Sequence, residues 1–194
     1  MEVANRLDGR RILGAFTVKS CVLPVVRNKS MDTLNAHLQK YKPVAVIALG
    51  QSSRPMISIE RVAINVDDYP IPDNDGNQVC DQEIIENGPT AYWSTLPIKK
   101  IHSSLQRHQL NAQISNSAGT FVCNHLFYQM QHRLQSTDVL SGFIHLPTFT
   151  APKKSMSIEQ LTRSIDIASQ VVAAQLATGE RSSSRDVWPH RENP

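Results

Sequence analysis

Two short runs constrain this chain more than anything else in it. Val44–Leu49 (VAVIAL) is apolar at every position and is ended by Gly50; Gly142–Leu146 (GFIHL) is nearly so and is stopped by Pro147. Apolar residues at consecutive positions, rather than alternate ones, mark a strand covered on both faces. Such strands need helices on either side of their sheet, so the runs point to an α/β domain. Val44–Leu49 is expected to be central in that sheet.

The intervening segments carry helical patterns. Ser30 is a candidate N-cap for a helix with Leu34 and Leu38 one turn apart. Thr95 is a candidate N-cap, with Pro97 in the first turn and Ile98, Ile101 and Leu105 on one stripe. From Thr120 to about Leu134, Cys123, Phe127, Met130 and Leu134 recur at helical spacing. Ser157 and Gln160 form a capping box ahead of Ile158, Leu161, Ile165, Ala168, Val172 and Leu176, and Gly179 ends that stretch. Ile57–Val66 predicts one or two strands around Glu60 and Arg61, and residues 111–115 (NAQIS) a short one. Asp67–Gln82, with its Asp, Pro and Asp-Gly, is loop. The pattern predicts one α/β domain over residues 1–179, helices packed on a largely parallel sheet, and a disordered polar tail over 180–194.

Composition removes several classes of function. The chain has 194 residues and a formal net charge of +3, with no Lys/Arg block, so neither a nucleic-acid nor a membrane surface is expected. The longest apolar run is too short to span a bilayer, and the N-terminus has no signal pattern. The three cysteines, Cys21, Cys80 and Cys123, are an odd number without paired spacing, which predicts free thiols in a reducing compartment, most simply the cytoplasm.

Cys123 follows a small-residue turn, Ser117–Gly119, between a strand and a helix. A strand–turn–helix exposes a side chain at a strand's carboxyl end, and a thiol in the first helical turn meets the positive end of the helix dipole, which lowers its pKa. The free N–H groups there are suited to an oxyanion. The plain alternative is a buried small hydrophobe. A nucleophilic thiol needs a base. Of seven histidines, six (His37, His102, His108, His125, His132 and His190) read as solvated helix or tail residues. His145 lies in an apolar strand, where its ring must find a partner, either a carbonyl or the thiol. Glu60 poses the same problem amid ISIERVAI: it is an ion-pair partner of Arg61 or Arg54, or the carboxylate that orients an imidazole. A metal site of Cys123, His125 and His145 has no paired ligand motif behind it.

Taken together, these stretches resemble the pyroglutamyl peptidase I (pyrrolidone-carboxylate peptidase) family of cysteine peptidases. ISIERVAIN is similar to the family's glutamate segment, IPDNDGNQ and GPTAYWSTLP to two internal signatures, SNSAGTFVCNHLFY to the cysteine segment and SGFIHLP to the histidine segment. The match runs from Val3 to about Ala177, with Glu60, Cys123 and His145 in the family's order. The resemblance implies a three-layer fold, an open twisted, mostly parallel sheet flanked by helices. It implies that Cys123 is the nucleophile, His145 the general base and Glu60 the orienting carboxylate. Phe121, Val122 and Gln51 match positions that hold the lactam ring. Peptides with an N-terminal pyroglutamate are the implied substrates, in a cytoplasmic homotetramer that uses no metal or organic cofactor.

Three departures from the family pattern set up competing expectations. Family members begin earlier, with a strand and a Phe/Gly-rich loop over the lactam; here Met1 falls within the segment that matches the first helix. Pro70 stands where the family commonly has Arg. Ser52 and Ser53 occupy a loop that is usually glycine-rich, where serines are restricted in the backbone angles they reach. These departures predict, as alternatives, a family-like protein of weak or no activity, or a non-catalytic assembly subunit.

Overall fold

The computed structural model describes residues 2–148 and 156–179, so the tail expected over 180–194 lies outside the described residues. Its centre is a four-stranded sheet of β3 (Ala45–Ser52), β8 (Leu140–Pro147), β4 (Ile57–Glu60) and β7 (Ala112–Ser115), in that spatial order. β3 runs parallel to β8 and β4 parallel to β7, while β4 is antiparallel to β8. The sheet is therefore two parallel pairs joined along one antiparallel seam. The largely parallel expectation holds for two of its three pairings.

Each strand offers alternate residues to opposite faces. One face, with Ile57, Ile59, Ile144 and Leu146, packs against α1 (Glu2–Leu7), α3 (Ile98–Arg107) and α5 (Ile158–Thr178) through Val3, Leu7, Ile101, Leu105, Leu161, Ile165 and Val172. The other, with Ala48 and Phe143, packs against α2 (Arg27–Tyr41) and α4 (Val122–Leu134) through Met31, Leu34, Leu126, Phe127 and Met130. Helices thus cover both faces of an open sheet. Two small antiparallel pairs lie outside it, β1 (Arg11–Ile12) with β2 (Phe16–Thr17) and β5 (Val62–Ile64) with β6 (Ala91–Trp93).

Several local expectations are corrected. β3 lies at a sheet edge and is mostly half-buried; the centre belongs to β8, whose residues from Ser141 to Pro147 are all buried between strands on both sides. Ser30 is not a cap. It is a buried residue within α2 whose hydroxyl donates to the Arg27 carbonyl (2.9 Å), while the Arg27 N–H is received by Asp73 Oδ2 (2.8 Å) from a distant loop. Thr95 does not cap α3, which begins after Pro97; its Oγ1 accepts from the Ser141 N–H (2.7 Å) and ties the chain to β8. The capping box at Ser157 and Gln160 forms as expected, and Gly179 ends α5 at φ +65°. Ser52 and Ser53 are accommodated without a left-handed φ at either residue. Among the described residues no helix is long and apolar enough to cross a membrane.

Candidate active site

The alternation of GFIHLP decides where its histidine points. Ile144 and Leu146 join the apolar α5 side, so Phe143 and His145 face α4. Register then aligns Gly50 of β3, His145 of β8, Ser58 of β4 and Gln113 of β7 in one row across the sheet. Two residues beyond Ser58, on the same face, is Glu60, which pairs in register with Ser115.

Glu60 is fully buried, and its Oε1 is the meeting point of two donors. His145 Nδ1 lies 2.8 Å from it and Arg54 Nη1 2.7 Å. Both readings of Glu60 are realised at once: it is an ion-pair partner of Arg54 and the partner of an imidazole. A carboxylate only accepts, so Nδ1 carries the proton and Nε2 is left as the basic nitrogen. His145 is itself buried and stands against the Phe143 ring, with centroids 4.8 Å apart.

Cys123 enters this row through a glycine. It is the second residue of α4, and a Cβ built on Gly50 would lie 3.0 Å from Cys123 Sγ and 2.8 Å from Phe143 Cζ. Gly50 is the ladder partner of His145. Only a residue without a side chain lets the sulfur come down onto the sheet beside that imidazole. α4 is held there by Asn124, which accepts from the Ile64 N–H (3.1 Å) and donates to the carbonyls of Ile64 (2.9 Å) and Val66 (3.0 Å). The turn before the helix uses Gly119 at φ +82°, and Thr120 is clasped to Asp68 by two hydrogen bonds. Phe121, the N-cap residue, supplies no capping side chain, which leaves the first-turn N–H groups of α4 uncapped from that position.

The thiol differs from expectation. Burial, and after it the Glu60 carboxylate, push Cys123 up to about 11. A helix dipole is worth about 0.3–1 kcal/mol, under one pH unit, whereas burial can move an acid by several. Desolvation wins, and the resting sulfur is a thiol at neutral pH.

A model of the pyroglutamyl peptidase family matches residues 1–177. The chain belongs to the pyroglutamyl peptidase family. A pyrrolidone-carboxylate peptidase from Aliivibrio fischeri (strain MJ11) is 44% identical over 178 residues, which are 89% of this chain and 84% of that protein. One from Vibrio campbellii (strain ATCC BAA-1116) is 47% identical over 168 residues, 86% and 78% of the two chains. Among solved structures, Bacillus amyloliquefaciens pyroglutamyl peptidase I superposes with a TM-score of 0.84 at 37% identity, over 89% of this chain and 87% of that one. Pyrrolidone carboxyl peptidase from Thermococcus litoralis gives 0.87 at 32%, over 96% and 90%.

Of the residues singled out from the sequence of this family member, Cys123, His145 and Glu60 come together. Phe121 stands half-buried at the mouth of α4, edge-on to Tyr69 (centroids 4.8 Å), and Val122 is buried behind it. Gln51 is exposed, and the pleat of β3 turns it to the face opposite Gly50, so it is not brought beside the imidazole. His125 corrects the reading of six solvated histidines. It is buried, its Nδ1 2.7 Å from Asp67 Oδ2, an oxygen that also accepts from Arg27 Nε (2.7 Å). Phe127, two positions on, does not predict this burial, because helix residues two apart lie on different faces, and the Asp67 partner is 58 positions away. In the sequence Arg54 reads as an ion-pair option and Gly50 as a strand terminator; both are central to the site.

Proposed function

We propose that this protein is a cysteine peptidase that removes N-terminal pyroglutamate from peptides, with Cys123 as nucleophile, His145 as general base and then acid, and Glu60 as the carboxylate that orients the imidazole. The observation that carries the assignment is the buried His145–Glu60 hydrogen bond of 2.8 Å on the row where Gly50 admits the Cys123 sulfur. Family membership supplies the substrate: the relatives named above are pyrrolidone-carboxylate peptidases.

The resting thiol is protonated, so attack begins with transfer of the S–H proton to His145 Nε2 as sulfur bonds to the pyroglutamyl carbonyl carbon. The imidazolium that forms is stabilised through Nδ1–H by Glu60. Charge on the carbonyl oxygen is received by first-turn N–H groups of α4. Collapse breaks the C–N bond as His145 returns its proton to the departing amine, leaving a thioester on Cys123. Water then gives a proton to His145 and adds to the thioester; free pyroglutamate leaves and sulfur regains its proton. Phe121 and Val122 form the apolar bed for the lactam ring. The working unit is a single domain over residues 1–179, and the enzyme acts in the cytoplasm as a homo-oligomer, a tetramer by family likeness.

The test is release of a chromophore from a pyroglutamyl amide. Cys123→Ala is expected to fall to the background rate while Cys21→Ala and Cys80→Ala stay near wild type. Full activity in Cys123→Ala would end this reading.

A further inference from the structure

Arg54 makes three contacts from the loop between β3 and β4. Nη1 donates to Glu60 Oε1 (2.7 Å) and to Ser115 Oγ (3.0 Å), and Nη2 donates to the Ser117 carbonyl (2.8 Å). Its side chain is 33% exposed, whereas that of Glu60 is at 0%. The first contact holds the carboxylate behind the imidazole. The other two hold the end of β7 and the turn that leads into α4, the helix that carries Cys123. Ser115 Oγ also donates to the Ser117 carbonyl (3.0 Å), so the turn closes on the guanidinium as a unit.

Arg54 and His145 converge on the same oxygen of Glu60, while Oε2 is buried and has no hydrogen-bond partner among the described residues. A buried carboxylate held through one oxygen depends on both donors for its orientation. The charged and titratable groups that face it are Arg54 from its own loop, His145 from β8 and Cys123 from α4. α3 also packs against β4, but its His102 is committed to the Ala112 carbonyl at the other end of β7. Among the described residues, Arg54 is the one fixed positive charge paired with this carboxylate.

From this geometry we infer that Arg54 is a positioning residue of the catalytic centre: it holds Glu60 aimed at His145 and locks the Ser115–Ser117 turn that sets the Cys123 helix. The inference rests on the triad assigned above. Because the guanidinium repels an imidazolium on the shared oxygen, it also limits how firmly His145 holds its proton. Removing the charge leaves Oε1 wholly to the imidazolium, and the acidic limb of the kcat/KM profile moves to higher pH.

The experiment compares Arg54→Gln and Arg54→Lys with wild type in steady-state kinetics on a pyroglutamyl amide from pH 5 to 10, with thermal unfolding as the control for folding. Arg54→Gln is expected to lower kcat by on the order of 10–100-fold with little change in KM, and to move the acidic limb upward by about one pH unit. Arg54→Lys keeps the charge but reaches fewer acceptors, so kcat recovers in part and the limb stays near wild type. Wild-type kcat and an unmoved limb in Arg54→Gln overturn the inference. So does a loss of activity with an unmoved limb and no recovery by Lys, which is the signature of a merely structural arginine. Should the Gln variant fail to fold, the Lys variant decides alone: undiminished kcat refutes the fork, and a shifted limb refutes the role of the charge. These outcomes are read in a protein whose Cys123→Ala variant is inactive; an active Cys123→Ala variant would instead remove the triad itself.

Discussion

Gly50→Ala is the smallest change that should damage the site, and the structure gives its size. The added Cβ would lie 2.8 and 2.9 Å from Cζ and Cε1 of Phe143 and 3.0 Å from Cys123 Sγ. Ordinary non-bonded contact is about 3.5–4.0 Å, so roughly 0.5–1 Å must be found. Phe143 cannot yield freely. It is buried, packed against Phe127 (centroids 5.9 Å), and its other neighbour is the His145 ring at 4.8 Å. If the ring moves, it presses on the base; if the sulfur moves, the nucleophile is displaced. Overpacking of this kind costs about 1–3 kcal/mol, which for a chain of this size is a fall in Tm of about 2–12 °C. A displacement approaching 1 Å at the reacting atoms is worth up to about 100-fold in rate, so kcat/KM on a pyroglutamyl amide should fall by roughly 10–100-fold. Thermal unfolding and steady-state kinetics on the same preparation separate the two effects. A Gly50→Ala protein with a lowered Tm but wild-type kcat/KM would show that sulfur and imidazole do not depend on this close approach. Wild-type values of both would refute the packing argument altogether.

Three further outcomes follow from the site. Glu60→Gln keeps the shape of the side chain but removes the charge and presents an amide that can donate to His145 Nδ1; kcat should drop by on the order of 10²–10⁴-fold with KM little changed, and a variant within tenfold of wild type would deny Glu60 its role. With the Cys123 thiol pushed up to about 11, iodoacetamide alkylation of the resting enzyme should keep accelerating as pH rises toward that value, and a plateau below pH 9 would mean a preformed thiolate–imidazolium pair instead. The same shift has a stability consequence with a definite sign: the folded state holds this proton more tightly than the unfolded chain, so its contribution is intact below about pH 9 and is lost on going to about 11, roughly 3 kcal/mol in all. Wild type should therefore lose more Tm than Cys123→Ala over that interval, and parallel Tm curves would contradict the raised thiol.

The elements were legible in the sequence where a local pattern alone decides them. The capping box at Ser157 and Gln160, the stop at Gly179 and the strand ended by Pro147 all lie within a few residues of what they control, and all three form. Ser30 and Thr95 show the limit. Each looks like a cap by type and position, but Asp73 reaches in from a loop to serve the start of α2, and β8 claims Thr95 as a hydrogen-bond partner. A cap supplied across the fold leaves no trace beside the helix it caps. Strand order is invisible for the same reason. VAVIAL and GFIHL look alike as runs, but one lies at the edge and the other at the centre, and nothing within four residues of β4 says that it runs against β8.

The site was legible in its chemistry and not in its electrostatics. His145 and Glu60 announced themselves as polar side chains in strands that should be dry, and such groups must be partnered. That reasoning finds a pair without knowing the register that joins Gly50, His145 and Ser58 in one row. It fails for Cys123, because the helix dipole can be read from the chain while the desolvation cannot. Burial of the sulfur comes from Gly50, 73 positions away, whose missing side chain is what admits it to the sheet. The consequence is mechanistic. With the thiol protonated at rest, the imidazole has to accept the proton as the carbonyl is attacked, so His145 is needed as a base and not only as a counter-ion. The contacts that hold Glu60 behind it and admit the sulfur beside it then bear on that first step, which puts Arg54 and Gly50 alongside the three residues that the sequence pattern made conspicuous.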